Sequence, residues 1–321
     1  MPSTTTATRP RRKTIYHIRN WPAYDRALVQ RGSLTVWIAD EALVAWGYQG
    51  PRQRGAQFDY SDQAIEAVLT LKEVFHLSNR EAEGLVRSVF ALMQVGLAVP
   101  DHSTLSRRGR AVHIQLPKRA HGPLHVVMDS SGLKVHGEGE WKVRQHGWSK
   151  RRTWRKMHLS VDATSGEVQA AMLSTAGVSD SEMVESMLSQ IDEPIAWVAA
   201  DGAYDKRPVY VSLYVRAPDT DIVIPPRHNA RIWQHGNTHA PPHRRDEVLR
   251  FIRAHGRQTW KEASNYHQRS LAETAVFRFK TVFGDHLSAR LLATQATQFG
   301  ARCRALNIMT HLGMPDSSKV D

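Results

Sequence analysis

The spacing of apolar residues predicts helices in the first part of the chain. Apolar positions recur with helical periodicity over residues 62–76. A second helical pattern follows Ser78, and Glu81 completes a capping-box sequence with that serine. Asp101 is placed to cap a third helix over residues 102–113. The sequence therefore predicts three short helices in succession.

The third predicted helix is basic, because it carries Arg107, Arg108 and Arg110. Three short helices ending in a basic one are typical of a helix-turn-helix-like DNA-binding unit. A helical linker whose basic face is solvated has the same pattern, so both interpretations stay open.

Beyond Pro117 the pattern changes to short apolar runs that alternate with helical segments. The predicted strands are 124–128, 156–161, 168–173, 195–200 and 221–224. The predicted helices are 181–191, 207–215, 261–283 and 294–312. Three strands, helix, strand, helix, strand and a long helix form the order expected of a ribonuclease-H-like α/β fold, a mixed sheet flanked by helices.

These patterns divide the chain into three parts. Residues 1–20 are rich in Thr, Pro and Arg and are expected to form a poorly ordered basic tail. Residues 21–118 are predicted to be a small all-helical DNA-binding domain, and residues 119–321 a ribonuclease-H-like catalytic domain. Within the latter, residues 227–245 are rich in His, Arg, Asn and Pro and predict a polar loop.

The charge balance narrows the class of partner. The chain has 43 Lys and Arg against 31 Asp and Glu, a formal net charge of +12. A basic surface of this kind most often binds nucleic acid, with anionic membranes second. No run of about eighteen apolar residues is present, which argues against a membrane protein. The single cysteine, Cys303, excludes a disulfide framework and fits a reducing cytoplasm. With DNA as the expected partner, we expect a cytoplasmic protein associated with the nucleoid.

Two aspartates follow predicted apolar strands. Asp129 follows the first strand of the second part, and Asp201 follows the fourth. If the two strands are neighbours, both carboxylates emerge at the same strand ends, where open α/β sheets bind ligands. Either residue alone would be interpreted as a turn or helix cap. Asp205 is an alternative to Asp201, although it is better placed to cap the next helix.

A polar stripe is predicted on the long helix 261–283. Tyr266, Arg269, Glu273 and Lys280 fall within an arc of roughly 60° at 100° per residue. The opposite side is apolar, as expected of a helix that packs on a sheet. The stripe is also compatible with a solvated face of Arg–Glu and Glu–Lys pairs.

These motifs together resemble one family of enzymes. The spacing Tyr266-x2-Arg269-x3-Glu273-x6-Lys280, with DSSGLKV from Asp129 and DGAYD from Asp201, is similar to the insertion-sequence-five family of bacterial DDE transposases. The resemblance extends to RNW at 19–21, RGSLTVWIADEALVAW at 31–46 and PDHSTLSRR at 100–108.

The resemblance implies a site and its ligands. Asp129, Asp201 and Glu273 match the three catalytic carboxylates, which would hold magnesium or manganese, as two ions. Tyr266, Arg269 and Lys280 match the accompanying positions, which we expect to contact DNA. The implied partners are the terminal inverted repeats of a mobile element, target DNA and further copies of the chain, a dimer being favoured.

A second basic segment, residues 142–156, contains no acidic residue and two tryptophans. Its clustered cations are expected to contact DNA phosphates: Lys150, Arg151, Arg152, Arg155 and Lys156. Stacking of a base on a tryptophan is one role for the aromatic rings, and a place in the core is the other. The histidines of the polar loop lack cysteine companions and predict a loop rather than a zinc site.

Three functions remain at this point. A transposase would use the carboxylates and metal ions for strand cleavage and strand transfer. A structure-selective nuclease of the same fold would cleave without joining. A non-catalytic DNA-binding regulator derived from a transposase would have no reason to keep three metal ligands.

Overall fold

The computed structural model describes residues 15–135, 154–235 and 242–320, except for residues 39, 53, 56 and 121. Its centre is a mixed sheet. The strands of the sheet are β2 (Leu124–Val135), β3 (Trp154–Asp162), β4 (Val168–Thr175), β5 (Ile195–Ala199), β6 (Asp221–Val223) and β7 (His286–Leu287).

The order of strands across the sheet is β4-β3-β2-β5-β6, and β7 pairs with the far end of β2. β3 runs antiparallel to both β2 and β4, whereas β5 and β6 continue the sheet in parallel. A central first strand with an antiparallel meander of β3 and β4 on one side and two parallel strands on the other is the ribonuclease-H-like topology. The predicted fold class is therefore confirmed.

Helices cover both faces of the sheet. In the first part of the chain they are α1 (Trp21–Gln30), α2 (Leu34–Trp37), α3 (Asp40–Val44), α4 (Asp62–Val74), α5 (Asn79–Leu92) and α6 (His102–Arg108). In the second part they are α7 (Val184–Leu188), α8 (Arg207–Arg216), α9 (Arg244–His255), α10 (Arg257–Ala263), α11 (Ser270–Phe283) and α12 (Leu292–Leu312).

Alternation along β2 divides the core into two layers, because successive side chains of a strand point to opposite faces. Val127 and Leu133 contribute to a core shared with α4, α5, α11 and α12. Val126 and Met128 contribute to a second core under α7 and α8. Asp129 has the same parity as Val127, so it belongs to the face that α11 covers.

The first layer continues across residue 118, where the sequence predicts a domain boundary. α4 is buried on most sides and packs against α12. A buried ion pair joins the two helices, with Nε of Arg302 donating to Oε2 of Glu73 at 2.7 Å. The amino-terminal helices thus share one hydrophobic core with the sheet.

The structure corrects several predicted elements near the ends of the chain. Residues 15–18, predicted as part of a poorly ordered tail, form β1 (Ile15–Ile18), which pairs antiparallel with β8 (Ser317–Val320). Beside this ribbon, Arg19 forms an ion pair of 2.8 Å with Asp316. Pairing between segments this far apart in sequence leaves no local signal for a prediction to use.

β2 is longer than predicted. It continues past Asp129 to Val135 because pairing with β3 extends from Val126 to Lys134. Gly132 allows this, since a Cβ atom at that position would lie 3.1 Å from the Trp154 ring. Ser130, Ser131 and Gly132 therefore belong to a central strand.

The predicted long helix 261–283 is interrupted. Asn265 adopts the left-handed conformation with φ of 55°, and a short 3-10 turn, Tyr266–Arg269, precedes α11. The hydroxyl of Ser264 donates to the Trp260 carbonyl at 2.7 Å, one of the local bonds that compete with helix continuation. Asn is among the few residues that tolerate the left-handed region.

Two further helices differ from their predictions. α6 ends at Arg108, so Arg110 lies beyond it rather than within a helix reaching His113. α9 begins at Arg244, inside the predicted polar loop, and the preceding N-cap residue His243 accepts a hydrogen bond from the Arg245 backbone N–H through its side chain. Residues 236–241 of that loop lie outside the described residues.

Candidate active site

Asp129 and Asp201 lie at the same level of adjacent parallel strands. The register of β2 and β5 pairs Val127 with Ala199, and each aspartate follows two residues later. Asp201 lies just beyond β5, where its carboxylate accepts the Ala203 backbone N–H at 2.8 Å. The sequence predicted this arrangement from the two apolar runs, although β2 itself does not end at Asp129.

Glu273 reaches this edge of the sheet from the first turn of α11. Its side chain is 55% exposed and forms an ion pair with Arg269. The same guanidinium lies 3.9 Å from Oδ1 of Asp129. Arg269 therefore bridges the first and third carboxylates.

The electrostatics of Asp129 reflect this crowding. Burial raises the pKa of its carboxyl above the usual range, and the negative charges of Asp201 and Glu273 act in the same direction. The backbone N–H of Ser130 and the Arg269 guanidinium partly offset the effect. Concentrated negative charge of this kind is relieved by a cation.

The donor set matches a hard divalent cation, because such ions prefer carboxylate oxygens. Within residues 15–135, 154–235 and 242–320, however, no three His, Cys, Asp or Glu side chains converge closely enough to hold a metal ion. Glu273 is directed to Arg269 instead. The oxygen ligands that the three carboxylates offer are nevertheless of the kind that such an ion prefers.

Tyr266 and Lys280 flank the carboxylates from separate elements. Tyr266 is half-buried in the 3-10 turn, and its ring centroid lies 5.5 Å from that of Trp260. Lys280 donates from Nζ to the Ser131 hydroxyl at 2.8 Å and so connects α11 to β2. The predicted stripe on one continuous helix is therefore wrong, because Tyr266 and Arg269 precede α11.

Asp205, the alternative to Asp201, is buried in an ion pair with Arg245. Its side chain is 1% exposed and accepts two hydrogen bonds from Arg245, at 2.8 and 3.0 Å. Its carboxylate also accepts the Arg227 backbone N–H. These bonds leave Asp201 as the aspartate that is open at the strand ends.

Comparison with known proteins identifies the family. Residues 120–308, more than half of the chain, match a family model described as a transposase DDE domain. Residues 29–138 match a second model with the same description.

The chain belongs to the DDE-domain transposases. It is an enzyme that binds DNA, cleaves DNA strands and transfers them, and proteins with this domain generally use divalent metal ions.

Two solved assemblies are similar to this transposase over most of its length. A piggyBac transposase synaptic complex with hairpin DNA has 11% sequence identity and a TM-score of 0.37. That match covers 88% of this chain and 76% of the other. A simian T-cell lymphotropic virus intasome in complex with PP2A regulatory subunit B56 gamma has 13% identity and a TM-score of 0.24, and the match covers 73% of this chain and 74% of the other.

In the part of the chain that the structure describes, no helix is long and apolar enough to cross a membrane.

A buried polar cluster lies on the other face of the transposase sheet, behind Asp129. The Asp180 carboxylate forms an ion pair with Lys156, whose Nζ lies 3.1 Å from Oδ1. Nδ1 of the fully buried His158 lies 3.7 Å from the same carboxylate. Burial alone would raise the pKa of Asp180, but the Ser130 side chain and the Lys156 ammonium lower it.

Tyr204 completes this cluster. Its side chain is 1% exposed, and burial raises the pKa of its phenol, with Asp180 and Asp129 adding to the effect. Sequence analysis missed these residues because they lie far apart along the chain. Only their cross-strand positions, such as Ser130 opposite His158, would have grouped them.

Several predicted DNA contacts need correction. Arg108 is buried, hydrogen-bonds to Asp62 and the Tyr60 carbonyl, and lies over the Phe58 ring at 4.0 Å. It therefore stabilises the helical region, whereas Arg107 and Arg110 are exposed.

The second basic segment is only partly described. Nε of Arg155 donates to Gln295 at 2.7 Å, and Nζ of Lys156 donates to the Val178 carbonyl at 2.9 Å. Both side chains are thus engaged within the protein rather than free for DNA. Lys150, Arg151 and Arg152 lie outside the described residues.

Proposed function

We propose that Asp129, Asp201 and Glu273 are the catalytic carboxylates of this transposase and hold two magnesium or manganese ions. The observation that carries the proposal is the level position of Asp129 and Asp201 on adjacent strands, with Glu273 joined to the same group through Arg269. Two ions bound there would promote deprotonation of the attacking oxygen and stabilise charge on the leaving oxygen.

Arg269 has a distinct part in this proposal. Its guanidinium forms ion pairs with Asp129 and Glu273. If those carboxylates held cations, the guanidinium would be free to approach the scissile phosphate. Arginine can grip a phosphate with two hydrogen bonds, so Arg269 would hold the DNA backbone in the reacting position.

Lys280 and Tyr266 support this arrangement from either side. Lys280 fixes α11 against β2 through Ser131, two residues beyond Asp129. Tyr266 packs against Trp260 close to the charges of Arg269, Asp201 and Glu273. Their expected role is to position the carboxylate-bearing elements and the DNA that lies over them.

The substrate follows from the family and from the motifs. We propose that the DNA consists of the terminal inverted repeats of an insertion sequence of the insertion-sequence-five type, followed by target DNA. Two DNA ends have to be brought together in one event, which favours a homodimer. Because its substrate is DNA, the protein is expected to associate with the nucleoid.

The test is an assay of strand cleavage and strand transfer on DNA carrying the element ends, with magnesium or manganese. Asp129→Asn, Asp201→Asn and Glu273→Gln should each abolish both reactions while duplex binding remains, since cations supply most of the affinity for DNA. Asp205→Asn is the matched control. Under conditions in which this variant is folded, it should retain both strand cleavage and strand transfer. Cleavage by Asp201→Asn at the wild-type rate would contradict the assignment, and cleavage without joining would indicate a nuclease.

A further inference from the structure

A groove with basic walls runs between the amino-terminal helices and the segment 288–291. Its larger part has a volume of about 560 Å³ and is lined by polar and cationic side chains that include Lys72, Asn79, Ser106, Arg110 and Arg290. A second part of about 440 Å³ shares Asn79 and Ser106 and adds Arg80, His102 and Arg107. We call these two parts together the basic groove.

The charge of the basic groove is largely unneutralised. No Asp or Glu lines either part. Lys72 and His102 have acidic partners, Glu73 and Glu83, each at 2.8 Å. The remaining cations are exposed and, among the described residues, form no ion pair: Arg80, Arg107, Arg110 and Arg290.

One wall of the groove is held by buried side chains. Gln298 accepts the backbone N–H groups of Ser288 and Ala289, both at 3.1 Å, and donates to Glu73 at 3.0 Å. Gln295, which is fully buried, donates to the Ala289 carbonyl at 2.9 Å. The segment that carries Arg290 is therefore fixed to α4 and α12 before any ligand binds.

The same segment is connected to the strand of Asp129. β7 pairs Lys134 with His286 and Val135 with Leu287, and Ser288 follows directly. Lys134 and Val135 lie five and six residues beyond Asp129 on β2, which corresponds to roughly 17–20 Å along a strand. At about 3.4 Å per base pair, this is the length of about five to six base pairs.

The lining favours double-stranded DNA over other ligands. Phosphate and sugar contacts are made by Arg, Lys, Ser, Thr and Asn, the residue types present here. Single-stranded DNA is held by stacking on aromatic rings, and no Phe, Tyr or Trp lines either part of the groove. The apolar side chains at the centre of protein–protein interfaces are also scarce, being limited to Ala289 and Leu291.

We propose that the basic groove binds the phosphate backbone of the DNA duplex beyond the far end of β2, away from the cleaved bond. The inference rests on the proposed function for the location of that bond, whereas duplex binding in the groove does not depend on catalysis. Arg80 and Arg290 thereby become DNA contacts together with Arg107 and Arg110. The groove supplies affinity and register, and the carboxylates supply chemistry.

The experiment compares two triple variants of the full chain. The first combines Arg80→Ala, Arg110→Ala and Arg290→Ala. The matched control combines Arg26→Ala, Arg54→Ala and Arg250→Ala, which are exposed arginines outside the groove lining. Binding of a labelled random-sequence duplex is measured by fluorescence anisotropy between about 50 and 200 mM salt, and thermal unfolding is measured alongside.

The groove variant should have a shallower dependence of log affinity on log salt, with the magnitude of the slope reduced by about two to three. Each phosphate that is no longer neutralised reduces that magnitude by about 0.9. The control should change the slope by less than about one, and both variants should unfold at the wild-type temperature. The corresponding Arg→Lys triple variant should keep the slope, because lysine retains the charge.

Equal slopes for the groove variant and the wild type would overturn the proposal. A groove variant that loses self-association but keeps the wild-type slope would also overturn it and would make the groove an interface between copies. If the slope depends on the groove but Asp201→Asn cleaves DNA at the wild-type rate in the separate cleavage assay, the catalytic assignment fails and the groove proposal stands.

Discussion

Arg269 is the residue on which the candidate site depends most, because it contacts two of the three carboxylates. The sequence predicted that it would lie near Glu273, one turn earlier on a shared helix. It could not predict the contact with Asp129, because that contact depends on the angle between the 3-10 turn and β2. Local motifs predicted which carboxylates form the candidate site, whereas their pairing with Arg269 required the tertiary structure.

The two aspartates of the DGAYD motif should respond differently to removal of charge. Asp205→Asn leaves the buried Arg245 with only Asp246, at 3.2 Å, as an acidic partner. Breaking a buried pair typically costs about 3–5 kcal/mol, and the remaining carboxylate places this change at about 3 kcal/mol. Asp201→Asn should leave the free energy of unfolding nearly unchanged, since Asn can cap the same turn.

Urea unfolding of the two variants measures this difference. Comparable losses of stability would show that Asp201 also has a structural role. An unaffected Asp205→Asn protein would show that Arg245 does not depend on this partner.

His158 makes the stability of the sheet depend on pH. Burial lowers the pKa of its imidazole from 6.5 to about 4, with Lys156 acting in the same direction and Asp180 opposing it. Below pH 6.5 the unfolded chain binds a proton that the folded chain excludes until about pH 4. Stability should therefore be complete above pH 6.5 and fall as the pH decreases through this window.

Nε2 of His158 lies 2.8 Å from the Ser174 hydroxyl. His158→Gln removes this titration while keeping a polar group near that hydroxyl. Its midpoint of thermal unfolding should decline less steeply than that of the wild type between pH 6.5 and about 4. Parallel profiles for the two proteins would assign the acid sensitivity to other groups.

At the scale of elements, the interruption between α10 and α11 determines where the site residues lie. A continuous helix would place Tyr266 and Arg269 on the same axis as Glu273, as the sequence predicted. The left-handed Asn265 redirects the chain, so Arg269 leads into α11 at its amino end. Periodicity over residues 261–283 is helical on both sides of the break, which is why pattern analysis did not detect it.

Substitution of Asn265 tests this feature. A β-carbon-bearing residue that cannot bond locally costs roughly 1–2 kcal/mol in the left-handed region, whereas glycine has no such penalty. Asn265→Ala should therefore lower the urea midpoint, and Asn265→Gly should keep it close to that of the wild type. If both variants were equally stable, the turn would not require its special backbone conformation.

At the scale of the whole molecule, the helical first part and the sheet form one hydrophobic unit. The order of strands and helices along the second part of the chain was predictable from the alternation of apolar runs and helical segments. The packing of α4 on α12 was not, because nothing in either segment specifies a partner more than 200 residues away. The predicted division into a helix-turn-helix-like part and a catalytic part therefore concerns their functions. It does not correspond to two separate hydrophobic cores.

A fragment of residues 21–118 should consequently fail to fold cooperatively. Alone, it would expose the face of α4 that α12 covers, together with the buried Glu73 that Arg302 neutralises. Circular dichroism should show a broad thermal transition for the fragment and a sharp one for the full chain. A sharp transition in the fragment would establish an independent domain.

β2 pairs with β3 from Val126 to Lys134, and its other edge pairs with β5 and β7 only at the two ends of the strand. The β2 amides that bond to β3 should thus be among the slowest in the protein to exchange with deuterium, whereas those in the first turn of α11 should exchange early. Asp129 would then be a fixed reference point, and Glu273 the carboxylate that moves to meet its ligand. Mass spectrometry of deuterium uptake, with and without magnesium, should show added protection at the start of α11 and none in β2.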